Sequence, residues 1–501
     1  MNNMAQNGQK PQGFHAKALN SLPWRYLESF GTTFIALAFS IVLARVLGPG
    51  DYGTVAILYV FINLSTIIIQ MGFGSALIRK KDADDLDYSS VFWLMAAVCT
   101  LLYAVLFLAS PGIARFYEIP ELKRLLRLAA LQLFAAPLFS VQNALIARNY
   151  RFRTSSVITL ISLLLSGGTA TLLACRGWGP VSLIVYYAMH LALRCLTYFR
   201  LVPWKLRFAI SRDRIRGLFS FGSKLLLSSL LEKAYSEIYS LVVGKRFSSV
   251  QLGYYTKGQQ FPAQLSDAVV TSIQSVVLPA YSEKQDDPEA MRSLLRRTVR
   301  TCAFVTFPAL AGLAAIAHPL VELFLGTVWL ESAPFLQIFC LAMLGKSITD
   351  ANRQAYNALG RSDLTLKVNC IHFAVILACL CASLSFGIKA VAWGFALGNL
   401  LSAVLEIAPS GKIIGYGAKE QLRDCGTAAL FSAVMFGCVS LWSLTSLPPF
   451  ALMAAQMLTG VIVYAGLGEL FRPEDYIVLK NLLVFYVKGV RNGRNNKKTG
   501  S

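Results

Sequence analysis

Apolar runs of about 20 residues recur along the whole 501-residue chain, separated by short polar segments. A helix needs about 20 apolar residues to cross the roughly 30 Å hydrocarbon layer of a membrane, so each run predicts one membrane-spanning helix. The predicted fold class is therefore an all-α polytopic membrane protein with about 14 transmembrane helices. The fourteen spans are predicted at residues 25–46, 53–73, 90–109, 126–147, 155–175, 181–201, 218–243, 252–278, 300–324, 334–354, 366–386, 390–411, 425–446 and 449–470.

The segments between the spans are too short to house a folded domain outside the membrane. The composition also argues against a soluble domain. Of all residues 55% are apolar and 15% are charged, whereas a typical soluble domain has about 25% charged residues. The chain also lacks the GxxxxGK[ST], HExxH and GxSxG motifs, which removes the usual signatures of ATP hydrolysis, metalloproteases and serine hydrolases. We expect no enzyme activity and no catalytic residues.

The ten cysteines predict neither a metal site nor a disulfide framework. Almost all of them lie inside apolar runs, and none forms a CxxC pair. Zinc sites and disulfide-rich folds use other spacings, whereas small helix residues inside a membrane look like this. We expect no metal and no bound cofactor.

The distribution of basic residues predicts the topology. The chain has 47 Lys and Arg against 26 Asp and Glu, a net charge of +21, which in a soluble protein would suggest a nucleic-acid partner. Here 33 of the 47 basic residues fall in the termini, in alternate loops or at the span ends beside them, and 9 fall in or beside the opposite loops. Cytoplasmic loops carry the excess of Lys and Arg, so both termini are predicted to be cytoplasmic and no nucleic-acid partner is expected.

A weak internal repeat divides the chain into two groups of six spans. Residues 44–56 align with residues 244–258, placing Gly53 on Gly253, and a second match follows the fourth span of each half. Because six helices separate equivalent positions, the halves insert in the same orientation, as in parallel-repeat transporters. The predicted domains are a cytoplasmic segment (1–24), a six-helix bundle (25–201), a basic linker (202–217), a second six-helix bundle (218–411), two additional helices (412–470) and a cytoplasmic interfacial helix with a basic tail (471–501).

Four short motifs resemble one family. These are ARVLGPGDYG after the first span, GFGSALIRK after the second, NALIARNYRF after the fourth and LGYYTKGQQFP at the start of the eighth. Together with two six-helix bundles plus two helices, they resemble the polysaccharide transport family. These are the Wzx-type lipid-linked oligosaccharide flippases of the multidrug/oligosaccharidyl-lipid/polysaccharide superfamily, and the colanic acid and teichuronic acid exporter branch is the most similar.

The resemblance implies two bundles around a V-shaped central cavity that opens alternately to each side of the bacterial inner membrane. The implied cargo is an undecaprenyl-diphosphate-linked glycan unit for exopolysaccharide, capsule or O-antigen synthesis. Implied partners are membrane lipids, a polysaccharide polymerase and export machinery. Two alternatives stay open, a cation-coupled multidrug antiporter and a membrane glycan polymerase.

Polar side chains inside the predicted spans are the candidate site, because a charge in hydrocarbon almost always faces protein or water. In the tenth span Lys346, Asp350 and Arg353 share one face, since they are spaced i, i+4 and i+7. The alternative is that they neutralise each other and only fix helix packing. The proposed cavity residues are Arg25, Asn63, Gln70, Lys224, Lys257, Gln264, Lys346 and Arg353.

Carboxylates and their partners form the second candidate group. Lys233 and Glu237 are one turn apart and can pair, which leaves Lys224 as the better cation for an anionic ligand. A diphosphate needs such cations when it loses its water. Coupling to a proton or Na⁺ gradient is expected at a carboxylate, with Asp350 or Glu232 as the candidates. The coupling and charge-pairing residues are Glu28, Glu232, Lys233, Glu237, Asp267 and Asp350.

The topology has a direct test. Arg212 is predicted in a cytoplasmic loop and Trp178 in a periplasmic loop, because the positive-inside rule assigns them to opposite sides. In a variant without the native cysteines, an impermeant thiol reagent added to intact cells should label a cysteine at position 178 and spare one at 212. Labelling at 212 alone would mean that the topology is inverted.

Overall fold

The computed structural model describes residues 31–80, 82–148, 152–201, 204, 206–477 and 480. All regular secondary structure in these residues is helical. The first half contains α1 (Gly31–Val46), α2 (Pro49–Gln70), α3 (Phe73–Arg79), α4 (Asp85–Tyr117), α5 (Leu122–Ala130), α6 (Ala135–Arg148), α7 (Phe152–Cys175), α8 (Pro180–Leu201) and α9 (Arg212–Arg246). The second half contains α10 (Ser249–Glu283), α11 (Pro288–Ala315), α12 (Ala317–Phe324), α13 (Ala333–Ala358), α14 (Ser362–Ser383), α15 (Ile388–Ile407), α16 (Ser410–Ile413), α17 (Ala418–Ser440) and α18 (Pro449–Phe471).

Each predicted span overlaps helical residues of the structure, and the all-α polytopic fold class is confirmed. Eleven segments within the described residues are long and apolar enough to cross a membrane. The described part of the first span, Gly31–Val46, is a shorter apolar helix. The seventh and eighth spans correspond to α9 and α10, which are 35 residues each but are not among the eleven. These two helices also carry many of the charged candidates.

The ninth span differs from its prediction. It was expected at residues 300–324, but α11 covers Pro288–Ala315 and a separate short helix, α12, follows. Hydropathy placed the start where the basic residues end, yet a helix can continue into a polar region. The break after Ala315 has a local cause, since Pro319 lacks the N–H that would bond to the Ala315 carbonyl and its ring would clash there.

Local signals in the sequence set several helix starts. Asp84 caps α4 by accepting a hydrogen bond from the backbone N–H of Asp87 at 3.0 Å. Asp287 caps α11 in the same way, and Pro288 occupies its first turn. Asp, Ser and Asn are preferred at such caps because they satisfy backbone donors that the helix leaves unpaired.

The chain divides into two compact units, Met1–Thr256 and Lys257–Ser501. In the first, α7 packs on α8, and α9 packs on α2, α3 and α4. In the second, α11 packs on α13 and α17, while α15 packs on α13 and α14. The domain boundaries read from the repeat stay a prediction, and the predicted interfacial helix lies almost entirely beyond the described residues.

The start of α2 and the start of α10 cross with their backbones in contact. A Cβ atom at Gly53 would lie 1.7 Å from the carbonyl oxygen of Ser249, and one at Gly253 would lie 1.9 Å from the carbonyl oxygen of Pro49. The contact is reciprocal, and it joins the two glycines that the internal repeat aligns. Only glycine permits so close an approach of two backbones.

Substitution of either glycine should therefore destabilise the protein. We expect Gly53→Ala and Gly253→Ala each to cost about 1–3 kcal/mol, because the blocking atoms belong to the backbone and cannot rotate away. Thermal unfolding of the purified protein measures the effect. Gly168→Ala is the matched control, since a Cβ there meets no described atom within 4 Å. Equal unfolding temperatures for Gly53→Ala and Gly168→Ala would contradict this explanation.

Candidate functional site

In the first unit, a polar contact joins α2 to α9. Asn63 donates a hydrogen bond to Glu237 Oε1 at 3.0 Å, and Lys233 Nζ lies 2.7 Å from the same oxygen. The i, i+4 pairing of Lys233 with Glu237 is the one that their spacing predicts. Asn63, a proposed cavity residue, thus makes a hydrogen bond between two helices.

Gln70 lies on a small polar cavity in the same unit. The cavity measures about 280 Å³ and is bordered by residues of α2, α3, α6 and α9. Its polar lining includes Gln70, Ser140, Asn143 and Ser229. These neutral donors and acceptors could bind water or hydroxyl groups, but no described charged side chain lines the cavity.

Lys257 lies near the start of the second unit and is buried, with 2% of its surface exposed. Its Nζ donates a hydrogen bond to Gln260 Oε1 at 3.1 Å and lies 5.9 Å from the centre of the Trp329 ring. The side chain is thus enclosed by amide and aromatic groups. In this conformation its access to a ligand requires movement of the side chain or of α10.

Charged side chains inside the spans are most concentrated along α13. Lys346 pairs with Asp267 of α10 rather than with Asp350 on its own helix. Both partners are accessible, with 40% of the lysine side chain and 58% of the aspartate side chain exposed. This pair is the most accessible contact among the described charged candidates inside the spans.

Arg353 and its partners form a largely buried cluster about two turns further along α13. Arg353 Nη2 lies 3.0 Å from Glu406 Oε2 of α15, and Nη1 lies 3.8 Å from Asp350 Oδ1. On the other side of Glu406, His372 Nδ1 of α14 lies 2.9 Å from Oε1. The Tyr356 hydroxyl also donates to the Glu406 backbone carbonyl at 3.1 Å. Arg353 and His372, from two different helices, therefore share the Glu406 carboxylate, and Arg353 also lies near Asp350.

His372 and Glu406 are not among the candidates predicted from the sequence. The sequence does contain a signal for both residues. Each is an isolated ionisable residue inside an apolar run, and such residues are functional candidates by default. Neither belongs to a set of several charges on one helix face, which is the pattern that indicated Lys346, Asp350 and Arg353. The alternative considered for Lys346, Asp350 and Arg353 was that they neutralise one another on α13. Instead, Lys346 pairs with a residue of α10, and Arg353 lies closest to a residue of α15.

Several candidates cannot be placed in this site. Arg25 and Glu28 lie outside the described residues, and the side chains of Lys224 and Glu232 on α9 are likewise outside the described set. Gln264 is partly buried on α10. The roles assigned to these residues stay predictions.

Charged side chains also cluster at helix ends. At the start of α4, Asp87 is fully buried and lies 2.7 Å from Lys80 Nζ and 3.3 Å from Arg214 Nη1. The backbone N–H of Asp87, followed by Arg214, lowers the pKa of the exposed Asp84. These contacts tie α9 to α4 at the end that the basic residues predict to be cytoplasmic.

Two solved structures share this fold. The inward closed conformation of the lipid II flippase MurJ matches with a TM-score of 0.74 at 17% identity, covering 90% of this chain and 98% of MurJ. An inward-facing multidrug resistance MATE transporter matches with a TM-score of 0.61 at 15% identity, covering 78% of this chain and 96% of the transporter. The fold is that of polytopic all-α transporters.

The family follows from the sequence comparison. Residues 42–334 match the polysaccharide biosynthesis protein family, and the chain belongs to this family. It is 24% identical over 406 residues to the teichuronic acid biosynthesis protein TuaB of Bacillus subtilis (strain 168), covering 80% of this chain and 83% of TuaB. It is 23% identical over 395 residues to the lipopolysaccharide biosynthesis protein WzxC of Escherichia coli (strain K12), covering 78% of this chain and 80% of WzxC. The resemblance inferred from the motifs is confirmed.

The two ion-pair groups of α13 should differ in their effect on stability. We expect Arg353→Met to cost about 3–5 kcal/mol, because it leaves buried carboxylates without their guanidinium. Lys346→Met should cost about 0–1 kcal/mol, because its pair with Asp267 is exposed. Thermal unfolding in detergent compares them, and a larger loss for Lys346→Met than for Arg353→Met would contradict the assignment.

Proposed function

We propose that this protein is a flippase that moves a diphosphate-linked oligosaccharide, built on undecaprenol, from the cytoplasmic to the periplasmic leaflet of a bacterial inner membrane. The movement proceeds by alternating access, and both termini are cytoplasmic. The glycan serves the synthesis of exopolysaccharide, capsule or O-antigen. A polymerase and export machinery are the expected downstream partners.

One observation carries the proposal. The relatives named for teichuronic acid and lipopolysaccharide biosynthesis align with about four fifths of this chain and of their own length. A third, the succinoglycan biosynthesis transport protein ExoT of Rhizobium meliloti (strain 1021), is 24% identical over 319 residues and covers 64% of this chain. All three names refer to the biosynthesis of a glycan polymer, and ExoT is named as a transport protein, which supports movement of a glycan by this chain.

The charges of α13 support an anionic cargo. Glu237, Asp267, Asp350 and Glu406 are the described carboxylates well inside the spans, and each lies within 4 Å of a Lys or Arg nitrogen. An exporter of cationic drugs would offer carboxylates without such partners. Lys346 is the accessible cation, and an incoming diphosphate could replace Asp267 as its partner through a charge-assisted contact.

The exposed ion pair gives the test of this proposal. We expect Lys346→Ala to reduce flipping of the lipid-linked glycan roughly 10- to 100-fold, since a hydrogen bond to a charged group contributes about 1.5–3 kcal/mol. Transport is measured in vesicles with the lipid-linked glycan, alongside the amount of protein in the membrane. Lys412→Ala, at an exposed lysine on α16, is the matched control.

Two results would count against the proposal. Normal flipping by Lys346→Ala would remove the lysine from the cargo site, and failure of the unmodified protein to move any diphosphate-linked glycan would remove the function. Export of a cationic dye by the same vesicles would favour the multidrug antiporter instead.

A coupling ion is part of the proposal and has its own test. Asp350 lies 3.8 Å from Arg353, so a change in that guanidinium's partners alters how strongly the carboxylate attracts a proton or Na⁺. We expect Asp350→Asn to slow repeated turnover and to abolish the dependence of transport on the ion gradient, while cargo binding is retained. Transport by the unmodified protein that ignores both gradients would exclude coupling.

A further inference from the structure

A mainly apolar groove of about 660 Å³ lies within the second unit. Its floor is formed by α11 and α13, which pack on each other, and Phe307 and Leu310 of α11 are buried there. Because α15 packs on α13 and α17 packs on α11, these two outer helices flank the groove. Trp393 of α15 and Phe436 of α17 are exposed large apolar side chains of its lining. The groove is therefore open at the apolar surface of the protein.

Lys389 is the charged side chain of the lining, and it lies where α15 begins. The Gln337 amide and the Ser432 hydroxyl, which also line the groove, donate hydrogen bonds to the backbone carbonyls of Ala314 and Ala428. Lys389 is exposed and has no hydrogen bond or ion pair with another described residue. A lysine near the end of a membrane-spanning helix extends its ammonium toward the interface. The groove thus combines an apolar interior with an available positive charge at one end.

The length of the groove matches one leaflet of a membrane. Along α13 its lining extends from Pro334 to Leu344, which is about 15 Å at 1.5 Å per residue. The hydrocarbon layer is about 30 Å thick, so one leaflet contributes about 15 Å. Pro334 and Lys389 are each the second residue of their helix, and α13 and α15 begin on the same side because one span, α14, separates them. The groove therefore extends from the membrane surface, on the side predicted to be periplasmic, to near the midplane.

We infer that this groove binds an acyl chain of an anionic phospholipid, with the headgroup phosphate at Lys389. Trp393 lies one turn further along α15 and lines the groove, and tryptophan is typical of the level where headgroups meet acyl chains. A phospholipid fits the length of the groove, whereas an undecaprenyl chain is much longer than one leaflet. The inference does not rest on the proposed flippase function.

The test measures lipid binding by the fluorescence of Trp393 in the full-length protein. A phospholipid with brominated acyl chains quenches a tryptophan that it contacts. The protein is reconstituted in phosphatidylcholine with increasing fractions of brominated phosphatidylglycerol or brominated phosphatidylcholine. The part of the quenching that disappears in Trp393→Phe belongs to the groove. We expect half of this quenching at an about fivefold lower fraction of the anionic lipid, because that is the effect of one lysine near an anionic lipid.

Two pairs of variants separate the headgroup from the chain. Lys389→Gln should remove the preference for phosphatidylglycerol, whereas Lys419→Gln should retain it, because Lys419 is also exposed and second in its helix but does not line the groove. This control accounts for the net charge of +21, which attracts anionic lipid to the whole protein. Ala433→Phe should fill the groove and reduce quenching by both lipids. Val434→Phe, next to it on α17 but outside the lining, should leave quenching unchanged.

Three results would overturn the inference. Equal half-points for the two lipids in the unmodified protein would remove the anionic preference. A preference that survives Lys389→Gln would place the headgroup elsewhere. Undecaprenyl phosphate that reverses the quenching at a lower fraction than unlabelled phosphatidylglycerol would assign the groove to the lipid of the cargo. None of these measurements involves transport, so their failure is distinct from failure of the flippase function.

Discussion

The cost of an ionised side chain in hydrocarbon governs this structure. Such a charge costs from about 2.5 to more than 10 kcal/mol by different measures, so it must be neutralised nearby. On α13, the partner of Lys346 comes from α10 and the main partner of Arg353 comes from α15. Neither helix can move relative to α13 without exchanging an ion-pair partner. The polar contacts therefore determine which arrangements of the second unit are accessible.

A second constraint acts on the backbone of the first unit. The reciprocal approach of Gly53 and Gly253 leaves no room for a Cβ atom on either helix. It joins positions that correspond in the internal repeat, so each half contributes the same kind of contact. Next to this rigid crossing, the Asn63 and Glu237 contact between α2 and α9 is a hydrogen bond, which can break and re-form with much less rearrangement.

The sequence predicted the helices well because membrane spans depend on a property that is local. It predicted the Lys233 and Glu237 pair for the same reason, since one helix turn fixes their separation. It could not predict that Lys346 pairs with Asp267, because periodicity identifies the face of a helix and not the neighbour that it meets. His372 and Glu406 lie 34 positions apart, and only the packing of α14 on α15 brings them together. The end of the ninth span was predicted wrongly because hydropathy reports only how apolar the residues are. The helix α11 ends at Ala315 because Pro319 cannot donate a backbone hydrogen bond to the Ala315 carbonyl.

Under the proposed alternating access, the pairing within the second unit also affects how the empty protein returns to its starting state. Each unpaired charge that crosses the membrane potential changes the free energy of that step by about 2.3 kcal/mol per 100 mV, so bare cations would make the return depend on the field. Here Lys346 is already balanced by Asp267, and Arg353 is balanced by Glu406 and Asp350. When all five side chains are ionised, these described groups carry a net charge of −1. The field therefore acts on one residual charge in this part of the protein and not on two bare cations.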